Sequence, residues 1–264
     1  MPKLSIIIPC YNEEKTISAI IDRVKKAPLP INWTREITIV DDKSTDKSRE
    51  ILQSLKDSSL KIIFKDKNEG KGSALKAGFK DATGDYVLIQ DADFEYDTND
   101  YYKLIELVDK NPGAVVIGSR NLKDNNVPFS KIYFYGGRLL TKVFNILFFN
   151  KLTDITSCYK IFPKTLIPIM VRRPNNDFVF DAVEMTYEII QYGNVIETPI
   201  SYRARSKAEG KKLNWRHGLK AFLAMLKIRF NLDGLIRFLR FHSIKKILKP
   251  SHRRLAIGIV FNYL

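Results

Sequence analysis

The chain has 264 residues, of which 45% are hydrophobic and 28% are charged. This balance is typical of a globular protein with a sizeable core and excludes a chain that is disordered throughout. The net charge of +15 is concentrated at one end, since residues 211–264 hold 13 Lys or Arg and one acidic residue. Such asymmetry indicates an attached basic element, for which membrane headgroups, nucleic acid and plain solvation are the candidate surroundings.

Cysteine content and hydropathy further limit the cellular compartment and the type of protein that the sequence is compatible with. Cys10 and Cys158 are the only cysteines and lack metal-binding spacing, so we expect a reducing compartment and no structural disulfide. No uninterrupted run reaches the roughly 20 apolar residues of a membrane span. The apolar stretch at 255–264 is read either as a hydrophobic end or as part of a spanning helix.

The first half of the chain alternates strand-like apolar runs with segments of helical pattern. Amphipathic helices are predicted at about 14–26, from Thr45 as an N-terminal cap, at 71–82 and at about 99–109. Strands are predicted at 4–8, 36–41, 61–65, 86–91 and 114–119. The alternation predicts an α/β fold with a mostly parallel sheet flanked by helices.

The second half is less regular and more basic. Helices are predicted at 136–152 and at 178–193, where Gly193 ends the helix, and residues 194–206 read as a strand that enters a basic loop. Two further amphipathic helices are predicted at 215–231 and 232–249. The sequence leaves open whether the first of these two packs on the rest of the protein or lies on a membrane.

Polar clusters follow four predicted strands, in the segments PCYNEE, DDKS, DKNEGKG and DADFEYD. Ligands of open parallel sheets bind beyond the carboxyl ends of the strands, so we expect these clusters to meet. Each is also typical of an ordinary loop, and NEGKG lacks P-loop spacing. The acids at 91, 93, 95 and 97 alternate and would share one side of an extended chain. Together the four clusters indicate a single site for a ligand that carries phosphates and a polar nucleotide base, together with a metal.

The chain resembles the family 2 glycosyltransferases in SIIIPCYNEEKTI, IVDDKSTDKS, NEGKGSALKAGF, GDYVLIQDADFEY and GSR. It is similar in particular to the dolichyl- or polyprenyl-phosphate sugar transferases that move mannose or glucose, whose branch also fits TDITSCYKIF, FVFDAVEM and VIETPISYRARSKAEGKKLNWRHG. The resemblance covers roughly residues 3–230. It implies a GT-A fold, a UDP- or GDP-hexose donor and a Mg²⁺ or Mn²⁺ cofactor.

The resemblance also implies roles by position. It places at the nucleotide sugar Pro9, Tyr11, Glu13, Val40, Asp42, Asp91, Ala92, Asp93, Arg205 and Lys211. It implies a metal site formed by Asp91, Asp93 and Glu95. Glu95 occupies the position where the mannose branch commonly has Gln. It implies catalytic roles for Asp93, Arg120, Arg205 and Lys211.

The chemistry of the acceptor separates two functions. A sugar hydroxyl needs a general base, for which Asp181 and Glu184 are the candidates. A phosphate monoester is already largely ionised at neutral pH and needs only cations, such as Arg138 and Arg203. We expect an inverting transfer of a hexose to polyprenyl phosphate. The alternatives are a saccharide hydroxyl acceptor in polysaccharide or glycolipid assembly, and a non-catalytic membrane-associated binding protein.

The concentration of basic residues near the C-terminus determines the predicted domain organisation. We expect a GT-A catalytic domain at 1–213 and a basic, amphipathic C-terminal element at 214–264 that contacts a membrane interface. This places the protein peripherally on the cytoplasmic face of a membrane. No nucleic-acid recognition motif is present in the sequence, so we expect no nucleic-acid partner. The sequence does not specify the donor sugar or the oligomeric state.

Overall fold

The computed structural model describes residues 1–122, 131–205 and 215–231, built around one seven-stranded sheet. The strands are β1 (Lys3–Cys10), β2 (Thr34–Asp41), β3 (Leu60–Phe64), β4 (Tyr86–Ile89), β5 (Val115–Ser119), β6 (Lys160–Pro163) and β7 (Val195–Pro199). Their spatial order is β3-β2-β1-β4-β6-β5-β7. Only β6 among them runs antiparallel to its neighbours. The predicted mostly parallel sheet is therefore confirmed.

The helices connect and cover the strands. They are α1 (Ile17–Lys26), α2 (Ser48–Ser54), α3 (Lys71–Asp81), α4 (Tyr101–Lys110), α5 (Lys131–Phe148), α6 (Ile167–Met170), α7 (Met185–Tyr192) and α8 (Trp215–Arg229). A π-helical turn, Phe180–Glu184, leads into α7. Within the described ranges, no helix combines the length and the apolar character needed to cross a membrane.

The core lies on both faces of the central strands. Ile6, Ile7 and Ile8 of β1 are all fully buried, as expected for a strand that is covered on both sides. A side chain at Gly78 of α3 would collide with the side chain of Ile7. The glycine therefore lets α3 pack directly on β1.

Among the features of the fold that differ from the sequence prediction are β6 and the start of α2, and α5 also begins earlier than predicted, at Lys131. The short strand β6 was not predicted, because four residues give too little pattern to separate a strand from a loop. The second helix begins at Ser48, not near Thr45, since the backbone N–H of Thr45 donates to the Asn12 side chain, 2.7 Å away. Thr45 therefore joins two loops and does not cap a helix.

The C-terminal elements are described in part. The helix predicted at 215–231 is present as α8, and Gly193 closes α7 with a φ of 100° as predicted. The helix predicted at 232–249 and the apolar stretch at 255–264 lie outside the described residues. The division into a domain at 1–213 and an element at 214–264 therefore remains a prediction.

Candidate active site

The carboxyl ends of the parallel strands open into a cavity of about 1180 Å³. The predicted residues that line it are Pro9, Tyr11, Glu13, Asp42, Asp91, Ala92, Asp93, Glu95, Arg120, Arg138, Asp181 and Arg205. Val40 is fully buried in β2, and neither Glu184 nor Arg203 is among the lining residues. Lys211 lies outside the described residues. The structure thus brings most of the predicted side chains to one place.

The acidic cluster after β4 is held together by Arg205. One terminal nitrogen of its guanidinium lies 2.5 Å from Asp93 Oδ2, and the other lies 3.0 Å from Glu13 Oε2. Burial and the nearby Asp91 raise the pKa of Asp93 to about 7, although Arg205 acts in the opposite direction. Burial is the main cause of this raised pKa, and the neighbouring carboxylates of Asp91 and Glu95 add to it.

A second network of charges lies on the cavity floor around Asp181. Lys71, the first residue of α3, places its Nζ 2.7 Å from Asp91 Oδ1 and 2.8 Å from Asp181 Oδ2. The fully buried Lys160 lies 3.1 Å from Asp181 Oδ1. Burial would raise the pKa of Asp181, but Lys160 and Lys71 outweigh it and lower that pKa. Asp181 is therefore a carboxylate held on both oxygens, which is unsuited to accept a proton.

Glu184 is the other residue predicted as a possible base. Its carboxylate accepts hydrogen bonds from the side chain of Asn175, at 2.8 Å, and from the Asn175 backbone N–H, at 3.2 Å. Burial raises its pKa, which would suit a base, but the residue does not line the cavity. The geometry therefore offers it no route to a substrate in the cavity.

The loops that would face the nucleotide are fixed by their own hydrogen bonds. Asn12 has a positive φ of 53°, and its backbone N–H donates to Ser44 Oγ at 3.0 Å. Asp42 accepts from the Gly70 N–H at 2.7 Å and from Lys65 Nζ at 2.5 Å. The loops after β1, β2 and β3 are thus tied to one another before any ligand binds.

Arg120 directly follows β5 and lines the same cavity as the acidic cluster. Its Nε and Nη2 donate to the two oxygens of Asp154, at 2.7 and 2.8 Å, and its guanidinium lies 4.9 Å from the ring centroid of Tyr202. Burial acts to lower the pKa of Arg120, but Asp154 raises it well above its usual range. Arg120 therefore brings a permanent positive charge to the cavity wall.

The remaining wall of the cavity is apolar and belongs to α5 and α8. Its lining residues include Phe134, Leu139, Leu140, Val143, Trp215, Leu219 and Phe222. Leu139 and Trp215 are 62% and 71% exposed. Arg138 lies on the same wall, 4.6 Å from the ring centroid of Phe134. One cavity thus joins an acidic edge, three arginines and an apolar surface.

Sequence reasoning missed several residues of the site. Lys71 and Lys160 are the most important, because they determine the charge state of Asp181. The signal for Lys71 is its place directly after Gly70, where a helix begins at the ligand edge of the sheet. Lys160 carries no such signal, since its strand was not predicted.

The chain matches a known protein family over more than half of its length. A family model described as "Glycosyl transferase family 2" matches residues 5–168. The chain belongs to glycosyltransferase family 2. That span contains most of β1, all of β2 to β6 and the acids after β4, so the match includes the carboxyl ends of these strands in this glycosyltransferase.

Two curated relatives of this glycosyltransferase are named for polyprenyl-phosphate chemistry. The dolichol-phosphate mannosyltransferase of Pyrococcus furiosus is 28% identical over 246 residues, covering 89% of this chain and 67% of the relative. The undecaprenyl-phosphate 4-deoxy-4-formamido-L-arabinose transferase of Yersinia pestis (strain Pestoides F) is 35% identical over 120 residues. That second match covers 44% of this chain and 36% of the relative. The predicted resemblance to polyprenyl-phosphate sugar transferases is confirmed.

Solved structures show the fold of this glycosyltransferase. Glucosyl-3-phosphoglycerate synthase from Mycobacterium tuberculosis, in complex with Mn²⁺, UDP and glucosyl-3-phosphoglycerate, superposes with a TM-score of 0.64 at 16% identity, covering 86% of this chain and 80% of that one. Staphylococcus aureus TarS in complex with UDP-GlcNAc gives a TM-score of 0.57 at 17% identity, covering 85% of this chain and 66% of that one. The predicted GT-A fold is confirmed.

Proposed function

We propose that the protein transfers a hexose, glucose or mannose, from a nucleotide-diphosphate sugar to polyprenyl phosphate with inversion at the anomeric carbon. The observation that carries this proposal is the single cavity that joins the acidic edge to the apolar wall of α5 and α8. A nucleotide sugar fits the acidic edge, and a lipid chain fits the apolar wall. The relatives named for dolichol phosphate and undecaprenyl phosphate support the same acceptor class.

The proposed reaction needs no proton transfer by the protein. An oxygen of the acceptor phosphate attacks the anomeric carbon, and the bond from that carbon to the donor diphosphate breaks on the opposite face. The nucleoside diphosphate leaves with the electron pair. Arg205 and Arg120 supply fixed positive charge to the phosphates, and Arg138 holds the acceptor phosphate near the apolar wall. This reaction uses no general base. That agrees with the position of Asp181, whose carboxylate is held between Lys71 and Lys160.

A divalent cation fits the acidic cluster. Within the described residues, no three His, Cys, Asp or Glu side chains converge as a ligand set, and Arg205 and Lys71 contact carboxylate oxygens of the cluster. Four carboxylates nevertheless line this edge of the cavity, those of Glu13, Asp91, Asp93 and Glu95, and oxygen donors suit Mg²⁺ or Mn²⁺. We propose that Asp91 and Asp93 hold the ion. When bound, it neutralises charge that develops on the leaving diphosphate.

A donor and acceptor screen tests the proposal. Purified protein is incubated with Mn²⁺, labelled UDP- or GDP-hexoses, and either a short polyprenyl phosphate or the polyprenol of equal length. We expect labelled lipid only with the phosphate, and none after chelation of the metal. Product from the polyprenol or from an added saccharide, with none from the phosphate, would contradict the proposal and favour the hydroxyl acceptor.

We also propose that the protein associates peripherally with the membrane that holds its acceptor. The helices α5 and α8 pack against each other, and the guanidinium of Arg229 lies 5.2 Å from the ring centroid of Phe149, the residue after α5. They expose apolar side chains beyond the cavity, including Ile146 at 64%, Phe149 at 84% and Leu223 at 48%. Apolar helix faces with nearby Lys and Arg bind the interface of anionic membranes.

Replacing both Phe149 and Leu223 with serine is expected to weaken binding to anionic vesicles at least about tenfold, because each buried side chain contributes about 1.5–3 kcal/mol. Co-sedimentation with phosphatidylglycerol-containing vesicles measures the effect. Ile31→Ser is the control, since Ile31 is fully exposed and precedes β2, at the sheet edge opposite the cavity. Equal binding of the double variant and the natural protein would rule out this face.

A further inference from the structure

The carboxylate of Glu95 accepts hydrogen bonds from the segment at 200–205. Its Oε2 accepts from the Tyr202 hydroxyl at 2.8 Å, and its Oε1 accepts from the backbone N–H of Arg205 at 2.7 Å. The backbone carbonyl of Glu95 accepts from the Arg203 N–H at 2.9 Å. Three hydrogen bonds therefore fix the segment that carries Arg205 against the acidic cluster.

The guanidinium of Arg205 fills the centre of that cluster. It contacts Asp93 and Glu13, and its Nε lies 3.9 Å from Glu95 Oε1. Its side chain is only 15% exposed, so these contacts are largely shielded from solvent. The other oxygen of Asp93, Oδ1, already accepts from the Glu95 N–H at 2.9 Å, so Oδ2 is the oxygen that would be left for a divalent cation. A guanidinium 2.5 Å from this oxygen leaves no room for a cation at the same place.

We propose that Arg205 is the built-in counter-cation of the acidic cluster in the donor-free enzyme, and that Glu95 is the positioning residue that holds it there. The donor diphosphate then draws the guanidinium away from Asp93, so that the nucleotide sugar and the divalent cation bind together. Glu95 acts in this scheme through Tyr202 and the Arg205 backbone, not as a third metal ligand. The inference rests on the proposed function, because the donor supplies the diphosphate.

The two possible roles of Glu95 predict opposite effects on metal affinity. If Glu95 ligates the cation, its removal weakens metal binding. If Glu95 holds Arg205 on Asp93, its removal frees an oxygen of Asp93 and strengthens metal binding. Removal of the Arg205 guanidinium has the larger effect, because it leaves the buried Asp93 without its cationic partner.

The experiment is a Mn²⁺ titration of the donor-free protein, followed by the paramagnetic resonance of free Mn²⁺ and repeated with saturating UDP or GDP. We expect Arg205→Gln to bind Mn²⁺ about tenfold more tightly than the natural protein when no nucleotide is present. We expect Glu95→Ala to shift the affinity in the same direction by a smaller factor. Glu95→Gln keeps an acceptor for the Arg205 N–H and should match the natural protein. Arg203→Gln, whose side chain is exposed, is the matched control in the same segment.

Equal or weaker Mn²⁺ binding by Arg205→Gln would overturn the inference and leave the proposed function standing. Weaker binding by Glu95→Ala would do the same, and would make Glu95 a ligand. Glu95→Ala retains the guanidinium, so it keeps the test available if Arg205→Gln does not fold. Absence of Mn²⁺ binding by every protein, even with nucleotide, would instead overturn the metal-dependent donor site of the proposed function and the inference with it.

Discussion

Replacing Asp93 with asparagine is expected to lower turnover about 1000-fold and to leave the thermal unfolding temperature nearly unchanged. Asp93 is only 6% exposed and lies between Asp91 and Glu95, where the leaving diphosphate and its cation would meet the protein. The substitution removes the charge needed there. It should not disrupt the fold, because Arg205 keeps its ion pair with Glu13, 3.0 Å away, and asparagine keeps an acceptor for the Glu95 N–H.

Transfer of labelled hexose to polyprenyl phosphate measures the effect, and circular dichroism measures unfolding. Asp97→Asn is the matched control, because Asp97 caps a 3₁₀-helix by accepting from the Asn99 N–H at 3.0 Å, a role that asparagine also performs. We expect this control to retain turnover within about twofold. Full turnover by Asp93→Asn would show that the metal and diphosphate bind elsewhere.

Replacing Arg120 with methionine is expected to lower the free energy of unfolding by about 3–5 kcal/mol and to abolish most turnover. Arg120 donates two hydrogen bonds to Asp154, which is 1% exposed. The substitution leaves a buried carboxylate without its cation, and this loss dominates the destabilisation. The same substitution removes positive charge from the cavity wall, and the loss of that charge lowers the transfer rate.

The double variant Arg120→Met with Asp154→Asn separates the two effects. It removes the uncompensated charge, so we expect it to regain at least about half of the lost free energy of unfolding. It does not restore a cation to the cavity, so turnover should stay low. Urea denaturation and the hexose-transfer assay report the two quantities. Recovery of both together would mean that Arg120 acts on turnover only through stability.

The fold was largely predictable because long strands and helices carry strong periodic signals. β1, β2, α3 and α4 lie close to their predicted positions. Two elements were decided by tertiary contacts. β6 is a strand because β4 and β5 lie on either side of it, and α2 starts late because Asn12 engages Thr45. Neither contact is visible in a local pattern.

The candidate site was predictable where charge clusters follow strands. Asp91, Asp93 and Glu95 stand out because acids at alternate positions demand an explanation. Their partners were harder to predict, since Lys71 and Arg205 approach from residues far along the chain. The role of Asp181 could not be inferred from the sequence, because its charge state depends on Lys160, which belongs to the unpredicted strand β6.

The antiparallel strand β6 has a consequence for how such enzymes diverge. It separates β4, which leads into Asp91 and Asp93, from β5, which leads into Arg120. The part of the sheet that leads into the acidic cluster and the part that leads to α5 and α8 are thus joined in the sheet through the short strand β6. We expect lipid preference to be exchangeable by transplanting α5 and α8 between homologues, with donor choice inherited from the recipient. Donor and acceptor preferences can then change independently as the lineage evolves.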